Sequence, residues 1–500
     1  MLSSLSLRLG LLTIFAVPLL VRWLSWLNIL QKKEYRLDRL WAFIKTQEGI
    51  KHVFKILPTR QDLTRHGLRR PKPTLRVLLI STISFSFGLA AIIWGWRLAP
   101  FWFFGLLFLL LLAVPDLALL ASAFVSIAVK AVTQSLLWLA QAKLQRHQPI
   151  IIGITGSYGK TSTKHLLTHL LNQAQPNSAF TTQRSFNTPL SVAMQTLRHY
   201  QGEEYLVLEY AAYKPGEIRK LAQTFMPHLA IITGFTPQHL AIFGSEENII
   251  KAKAELIEAL PLDGITFFNQ EVEGVQEIVR HAQKERDAPV KTVSFTDAET
   301  GIAYEQIELT QDGFLSFLLD GKKVQTKFVG RQYLSIIQGA VAAASWLGLS
   351  NQQLIKALSS FQPDNMFVKL FQHPQGFWIL DDGGTANPAG FHAAITLFEE
   401  LTQRRATSGK KVLITAGLID LGEQTSTIHQ QLATASHKLF DQVLYLGEPG
   451  KQQFSDLFQE NCLDTIKQSQ RIISNLSSQD FVLVEGKLPP EIASILKIEQ

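Results

Sequence analysis

The sequence predicts an α/β fold in three parts: amino-terminal transmembrane helices, then a P-loop parallel-sheet domain, then a carboxy-terminal Rossmann-like domain. Three observations predict it. Hydrophobic residues make up 46% of the 500 residues but crowd into the first 145 positions. From about residue 146, apolar runs of five to seven residues alternate with longer amphipathic segments, the rhythm of strand and helix. A loop rich in glycine at residues 153–163 joins one such run to a helical pattern. Domain sizes of roughly 100–200 residues divide the chain at 1–145, 146–330 and 331–500.

Leu9 to Leu30 is long enough to cross a hydrocarbon core of about 30 Å, and Lys32 and Lys33 follow it at once. A cleaved signal peptide is the competing reading, but the stretch is too long for one and no small-residue cleavage site follows. Val77 to Trp96 and Phe101 to about Leu120 are the second and third spans, with a tight turn between them around Arg97 and Pro100. Lys32 to Arg76 carries thirteen Lys and Arg against four Asp and Glu, which places that loop in the cytoplasm. Parity then puts the amino terminus outside and everything after the third span inside. Ala121 to Gln141 is apolar but carries Lys130 and runs into Lys143, Arg146 and His147, the pattern of an interfacial helix; a fourth span there would break parity. The net charge of +7 is concentrated in the basic loop, so it fits a membrane surface and not nucleic acid. The single Cys462 excludes a disulfide framework or multi-cysteine zinc site and suits the cytosol. The expected location is the cell (inner) membrane, multi-pass, with the catalytic domains cytoplasmic.

Pro149 to Thr155 reads as a buried strand and Lys164 to Gln173 as helix, so Gly156-Ser-Tyr-Gly-Lys-Thr-Ser-Thr163 is a strand-to-helix phosphate loop. Gly156 and Gly159 let the backbone approach phosphate, Lys160 reaches the β- and γ-phosphates, and the Thr161 hydroxyl suits Mg2+ at the helix start. Ser157 and Ser162 complete the nucleotide-binding set, and ATP with Mg2+ is the implied cofactor pair. The spacing from Gly153 departs by one residue from the general P-loop. The form Thr155-Gly-Ser-Tyr-Gly-Lys-Thr-Ser-Thr163 instead resembles the loop of the Mur ligase family. Three further segments share the resemblance: Val207-Leu-Glu-Tyr-Ala-Ala-Tyr-Lys-Pro-Gly-Glu-Ile218, Ile231-Ile-Thr-Gly-Phe-Thr-Pro-Gln-His-Leu-Ala-Ile-Phe-Gly-Ser245 and Ala252-Lys-Ala-Glu-Leu256.

Glu209 ends the apolar run Tyr205 to Leu208, so its carboxylate emerges at the carboxyl edge of a parallel sheet, where it suits Mg2+. By the resemblance, His239 is a second metal ligand or organiser, and Lys253 matches a lysine that becomes a carbamate in some family members. Lys253 reads equally as surface charge on an amphipathic helix. Asn269, after the strand Ile265 to Phe268, falls where the family contacts adenine, or is a turn-forming Asn. Lys160, Glu209, His239 and Lys253 form the expected catalytic set, with Thr161, Glu209 and His239 as metal ligands.

Alternating apolar residues around Asp320-Gly321 predict an antiparallel hairpin within Ser294 to Phe328. The α/β alternation then restarts, with strands at Phe377 to Leu380, Val412 to Thr415, Val443 to Leu446 and Phe481 to Val484. Leu380-Asp-Asp-Gly-Gly-Thr-Ala-Asn-Pro388, Thr415-Ala-Gly-Leu-Ile-Asp-Leu-Gly-Glu423 with His429, and Asp480 to Lys487 resemble family motifs in an order that favours the D-alanyl-D-alanine-adding branch. Asp382, at a strand end, is the expected contact from this domain to nucleotide or incoming amine, or a helix N-cap. The departures are Gly234 for the Asn of Thr-Asn, Gln332 and Ile336 after Gly330, Asn365 at the usual Gly-Arg, and Gly384 with Thr385 in the Asp-Asp motif.

The resemblance implies an ATP-dependent amide ligase that forms an acyl phosphate on a substrate carboxylate. Soluble relatives hold a uridine-nucleotide sugar in an amino-terminal domain, whose place the membrane spans take here. The implied partners are a cell-wall precursor, nucleotide- or lipid-linked, an amino acid or dipeptide amine, and the membrane. A membrane-tethered P-loop ATPase, a non-catalytic scaffold, and a ligase for another amino acid or polymer are the rival readings.

Overall fold

A computed structural model of the chain describes residues 2–64, 67–236, 240–296, 302–364, 367–383, 387–405, 408–419, 421 and 424–498. His239, Asn365, Gly384, Thr385 and Glu423 lie outside the described residues. The chain forms two compact units, 1–135 and 136–500.

The first unit is helical. Three helices, Leu5–Lys32, Leu75–Gly95 and Pro100–His147, are long and apolar enough to cross a membrane. Phe15 packs with Phe103, Leu107 and Leu111, and Leu27 with Val77, Ile80, Ala121 and Val125. The third span and the expected interfacial helix are one continuous helix, Pro100–His147, with no break at Leu120. The reason is local: from Asp116 to His147 there is neither Gly nor Pro, so nothing ends the helix. Arg22 is buried in this unit, and its guanidinium donates to the carbonyls of Val53, at 3.2 Å, and Lys55 at the end of the short helix Gln47–Phe54.

The last turns of the long helix belong to the second unit. Leu137, Ala140 and Leu144 join a core with Tyr200 and Leu206. The Lys143 ammonium donates to the carbonyls of Thr196 and Leu197, each at 3.2 Å, and Tyr200, satisfying the free carbonyls that end helix Pro189–His199.

Strands β1 (Ile150–Thr155), β2 (Ala179–Thr181), β3 (Tyr205–Glu209), β4 (Leu229–Ile232), β5 (Ile265–Phe268) and β6 (Lys291–Ser294) form a fully parallel sheet in the order β2-β3-β1-β4-β5-β6. Their near-continuous apolar runs follow from burial on both faces. The chain leaves β1 toward β2 on one side and returns to β4 on the other, so the carboxyl end of β1 is the switch point where such sheets bind ligands. Strands β7 (Tyr304–Leu309), β8 (Phe314–Leu319) and β9 (Lys322–Val329) form the expected antiparallel element. Asp320 and Gly321, with φ of 51° and 74°, make the turn.

Helices Leu334–Trp346 and Asn351–Ser360, past the expected boundary at residue 331, pack against the phosphate-loop helix Lys160–Ala174. The second sheet begins only at β10 (Lys369–Gln372), followed by β11 (Trp378–Asp382), β12 (Lys411–Thr415), β13 (Gln442–Tyr445), β14 (Cys462–Leu463) and β15 (Phe481–Glu485). Its order is β10-β11-β15-β12-β13-β14, with β10 alone antiparallel. The four strands expected there are β11, β12, β13 and β15.

Candidate active site

The loop after β1 is held open by its glycines. Gly156 sits at φ 153°, and a Cβ there would collide with the Thr233 hydroxyl and meet the backbone of Gly234. Gly159, at φ 77°, caps the helix Lys160–Ala174 in the left-handed conformation. The Ser157 N–H donates to the Gly234 carbonyl at 2.8 Å and its hydroxyl to the Thr236 carbonyl at 2.8 Å, tying the loop to the end of β4. Ser162 lies in the first turn of the helix, whose leading N–H groups have no intrahelical acceptor. This backbone cradle, which any side chain at Gly156 would fill, fits an anionic phosphate.

The side chains converge on it. Glu209, 2% exposed at the end of β3, accepts from the Thr161 hydroxyl at 2.8 Å and from the Asn187 amide at 3.0 Å. The Lys160 ammonium folds back onto the carbonyls of Gly156 at 2.8 Å and Ser157 at 3.4 Å; burial lowers its pKa and Glu209 opposes the fall. Lys253 is buried on helix Glu246–Glu258, so it is not a surface charge. Burial, with Lys160 nearby, holds its pKa well below the usual lysine value, which favours the neutral amine. Among the described residues no group of three His, Cys, Asp or Glu side chains gathers to hold a metal. Thr161 and Glu209 fit a Mg2+ ion that takes its other ligands from phosphate and water.

Asn187, Lys164 and Tyr158 were not singled out by sequence. Asn187 lies in an aperiodic loop before helix Pro189–His199, and only the fold brings it to Glu209. Lys164 looks like the polar face of a helix but is wholly buried, donating to the Thr182 carbonyl at 2.9 Å, its hydroxyl at 3.2 Å, and the Arg184 carbonyl. Burial brings its pKa to about 8 against the pull of Glu209 and Asp364. Lys164 thus pins the loop that carries Asn187. Tyr158 explains one departure: a Cβ on Gly234 would fall inside the Tyr158 ring, so Gly is what fits there.

Asn269, 4% exposed, donates to the Ser335 hydroxyl at 2.9 Å and accepts from the Glu271 N–H at 3.0 Å. Glu255, in the Ala-Lys-Ala-Glu segment, accepts from the N–H groups of Gly216 and, at 2.9 Å, Arg219, so it caps the helix that begins at Glu217. His429 is buried and structural, accepting at Nε2 from the Leu418 N–H at 3.0 Å and donating from Nδ1 to the Thr425 carbonyl at 2.7 Å. Asn387 caps helix Pro388–Arg404 through the Gly390 N–H at 2.9 Å.

Asp382 ends β11 and is 7% exposed. It is not an N-cap; that role falls to Asn387. Burial, then Asp381, pushes the Asp382 carboxyl up to about 7. In the parallel register its neighbour is Glu485 at the end of β15. Burial together with Asp382 and Asp381 holds the Glu485 pKa well above the carboxylate range. Glu485 was also missed, since it reads as the polar end of an apolar strand.

Residues 154–344 match the family model for the Mur ligase middle domain. The chain is 28% identical over 316 residues to the UDP-N-acetylmuramoyl-tripeptide–D-alanyl-D-alanine ligase of Bacillus subtilis (strain 168), covering 62% of this chain and 66% of that protein. It is 26% identical over 308 residues to the enzyme of the same name from Escherichia coli (strain K12), covering 60% and 64%. The chain thus spans just under two thirds of the length of these relatives. Among solved structures, MurF from Acinetobacter baumannii superposes with a TM-score of 0.62 at 23% identity, covering 73% of this chain and 80% of that one. MurF ligase from Thermotoga maritima, solved with ADP, gives 0.61 at 24% identity, covering 73% and 83%. These superpositions show the fold over the share of the chain they cover.

Proposed function

From the premise that residues 154–344 are a Mur ligase middle domain, we propose that the chain is an ATP-dependent, ADP-forming amide ligase acting on a peptidoglycan precursor. One observation carries the reading: Thr161, Glu209 and Asn187 form a hydrogen-bonded set beside a phosphate cradle that carries Lys160, and Lys160 acts on the buried Lys253 amine. The named relatives add UDP-N-acetylmuramoyl-tripeptide and D-alanyl-D-alanine as the substrate pair.

In this reading ATP phosphorylates a substrate carboxylate and an amine then displaces phosphate from the acyl carbon. Mg2+ supplies charge neutralisation at the phosphates when bound. Thr161 and Glu209 would hold that ion, Asn187 would fix the rotamer of Glu209, and Lys160 would turn from its carbonyl contacts to the phosphates. Lys253, whose pKa burial holds well below the usual lysine value, is suited to take up CO2 as a carbamate. His239 remains a proposed metal ligand, Asn269 and Asp382 proposed substrate-site residues.

The three apolar helices support a multi-pass protein of the cell membrane with its catalytic unit on the cytoplasmic face. A lipid-linked form of the precursor is the proposed acceptor; Arg22, Lys51, Lys55 and Arg69, with Asp62 paired to Lys55, line a cavity of about 240 Å³ in the first unit.

The test is ADP release by the full chain in lipid nanodiscs. It is expected only when a muramoyl-tripeptide acceptor and D-alanyl-D-alanine are both present, and Glu209→Gln should remove it. ATP hydrolysis that ignores both substrates would sink the ligase reading in favour of a tethered ATPase, and no turnover at all would favour a scaffold.

A further inference from the structure

The helical unit holds a cationic cavity that no step of the ligase chemistry uses. Arg22, Lys51, Lys55 and Arg69 line it together with one acid, Asp62. That acid is already committed: its carboxylate pairs with Lys55 at 2.6 Å and accepts from the Thr59 N–H and hydroxyl, each at 2.7 Å. Four cations against one carboxylate leave three positive charges around a space of about 240 Å³. Arg22 is 7% exposed; its terminal nitrogens are bonded, but its buried Nε has no hydrogen-bond partner among the described residues. Like charges gathered in a confined space call for an anion to answer them.

The cavity lies below the mouth of the helix bundle. At that mouth the side chains of Asn28 and Gln31 donate to the carbonyls of Arg70, at 2.6 Å, and Lys72, at 2.9 Å, just before helix Leu75–Gly95 starts. Arg22 stands six residues further into the first long helix, a descent of about 9 Å. The segment that meets Arg22 follows it down. Lys55, which ends helix Gln47–Phe54, accepts from Arg22 at its carbonyl, and Ile56 packs with the cluster of Phe15, Phe103, Leu107 and Leu111. Phe54 and Leu57 on this segment are largely exposed, which suits a surface facing lipid and not water. A descent of about 9 Å reaches the boundary between lipid headgroups and acyl chains.

We propose that this cavity is the receptor for the diphosphate group of a membrane lipid, the phosphate end of a lipid-linked acceptor. The assignment rests on the lipid-linked form of the ligase reading and adds the residues that would hold that acceptor. A diphosphate matches the three excess charges, whereas the phosphodiester of an ordinary phospholipid carries only one. Arg22 and Arg69 bring planar guanidinium groups that suit phosphate oxygens in pairs, and Lys51 and Lys55 act as point charges. A soluble diphosphate has the same chemistry, but it must leave water to reach this depth. A lipid is already there.

The experiment uses the full chain in phosphatidylcholine nanodiscs doped with dioleoylglycerol diphosphate, with native mass spectrometry reading the lipid retained on the protein. Retention is expected to exceed that of phosphatidylglycerol, doped to equal charge, by about tenfold. It should fall by about tenfold or more in the double variant Lys51→Gln, Arg69→Gln, which removes two cations. Both side chains are exposed, so this variant should keep the wild-type melting point and its ATP affinity within about twofold. Lys51→Arg keeps the charge and should retain the lipid. UDP and inorganic pyrophosphate, supplied in solution, should not displace it. Equal retention of the two lipids, retention that survives in the double variant, or displacement by either soluble diphosphate overturns the assignment. Selective retention without ADP release, when acceptor and dipeptide are both supplied, would leave the cavity's role standing and overturn the ligase reading alone.

Discussion

Replacing Asp382 by Asn should stabilise the protein at high pH and do little at low pH. The Asp382 carboxyl is held at about 7 against an ordinary 3.8, chiefly by burial. Above pH 4 the unfolded chain gives up this proton while the folded chain keeps it to about pH 7. The stability tied to it is therefore fully present below the unfolded value and is lost as pH rises through the folded one. At 1.36 kcal/mol for each tenfold change in acidity, the whole loss is about 4 kcal/mol at pH 8, an upper bound because Glu485 and Asp382 share it. Asparagine carries no such proton, so Asp382→Asn recovers that energy, roughly 10 °C in the melting of a domain of this size. Differential scanning calorimetry of the full chain in detergent, at pH 5 and pH 8, is the assay. The gain at pH 5 should be less than half that at pH 8. Equal gains at both pH values, or a loss at pH 8, would refute the reasoning, since packing changes do not titrate in this window.

Two further outcomes follow from the nucleotide site. Gly156→Ala should abolish ATP binding, measured by calorimetry, because the new methyl collides with Thr233. Gly216→Ala is the control: it also has positive φ but meets nothing within 4 Å, so it should cost about 1 kcal/mol of stability and leave ATP binding intact. If Lys253 works as a carbamate, its depressed pKa favours the required neutral amine, and ligation in CO2-stripped buffer should fall several-fold and return with bicarbonate. Activity indifferent to CO2, with Lys253→Ala still inactive, would leave Lys253 as a neutral amine.

What could be read from sequence was what local order encodes. The phosphate loop is contiguous, so its strand, glycines, lysine and threonine name each other, and Glu209 is flagged by the apolar run it terminates. The Asp320-Gly321 turn was legible for the same reason: its chemistry sits in two adjacent residues. The residues missed are those whose meaning depends on a partner far away in sequence. Asn187 and Lys164 act across 22 and 18 residues, and Glu485 matters only because β15 lands beside β11. The span ending near Leu120 and the interfacial helix from Ala121 to Gln141 are one helix for the opposite reason: composition changes there, but no residue there stops a helix. The departure at Gly234 shows why motif positions resist one-at-a-time reading. Taken alone it is a lost Asn; beside Tyr158, whose ring fills the space a side chain would need, it is the only residue that lets the loop close. A Gly234→Asn change made to restore the family pattern would therefore displace Tyr158 and distort the phosphate loop, unless the tyrosine were made small at the same time.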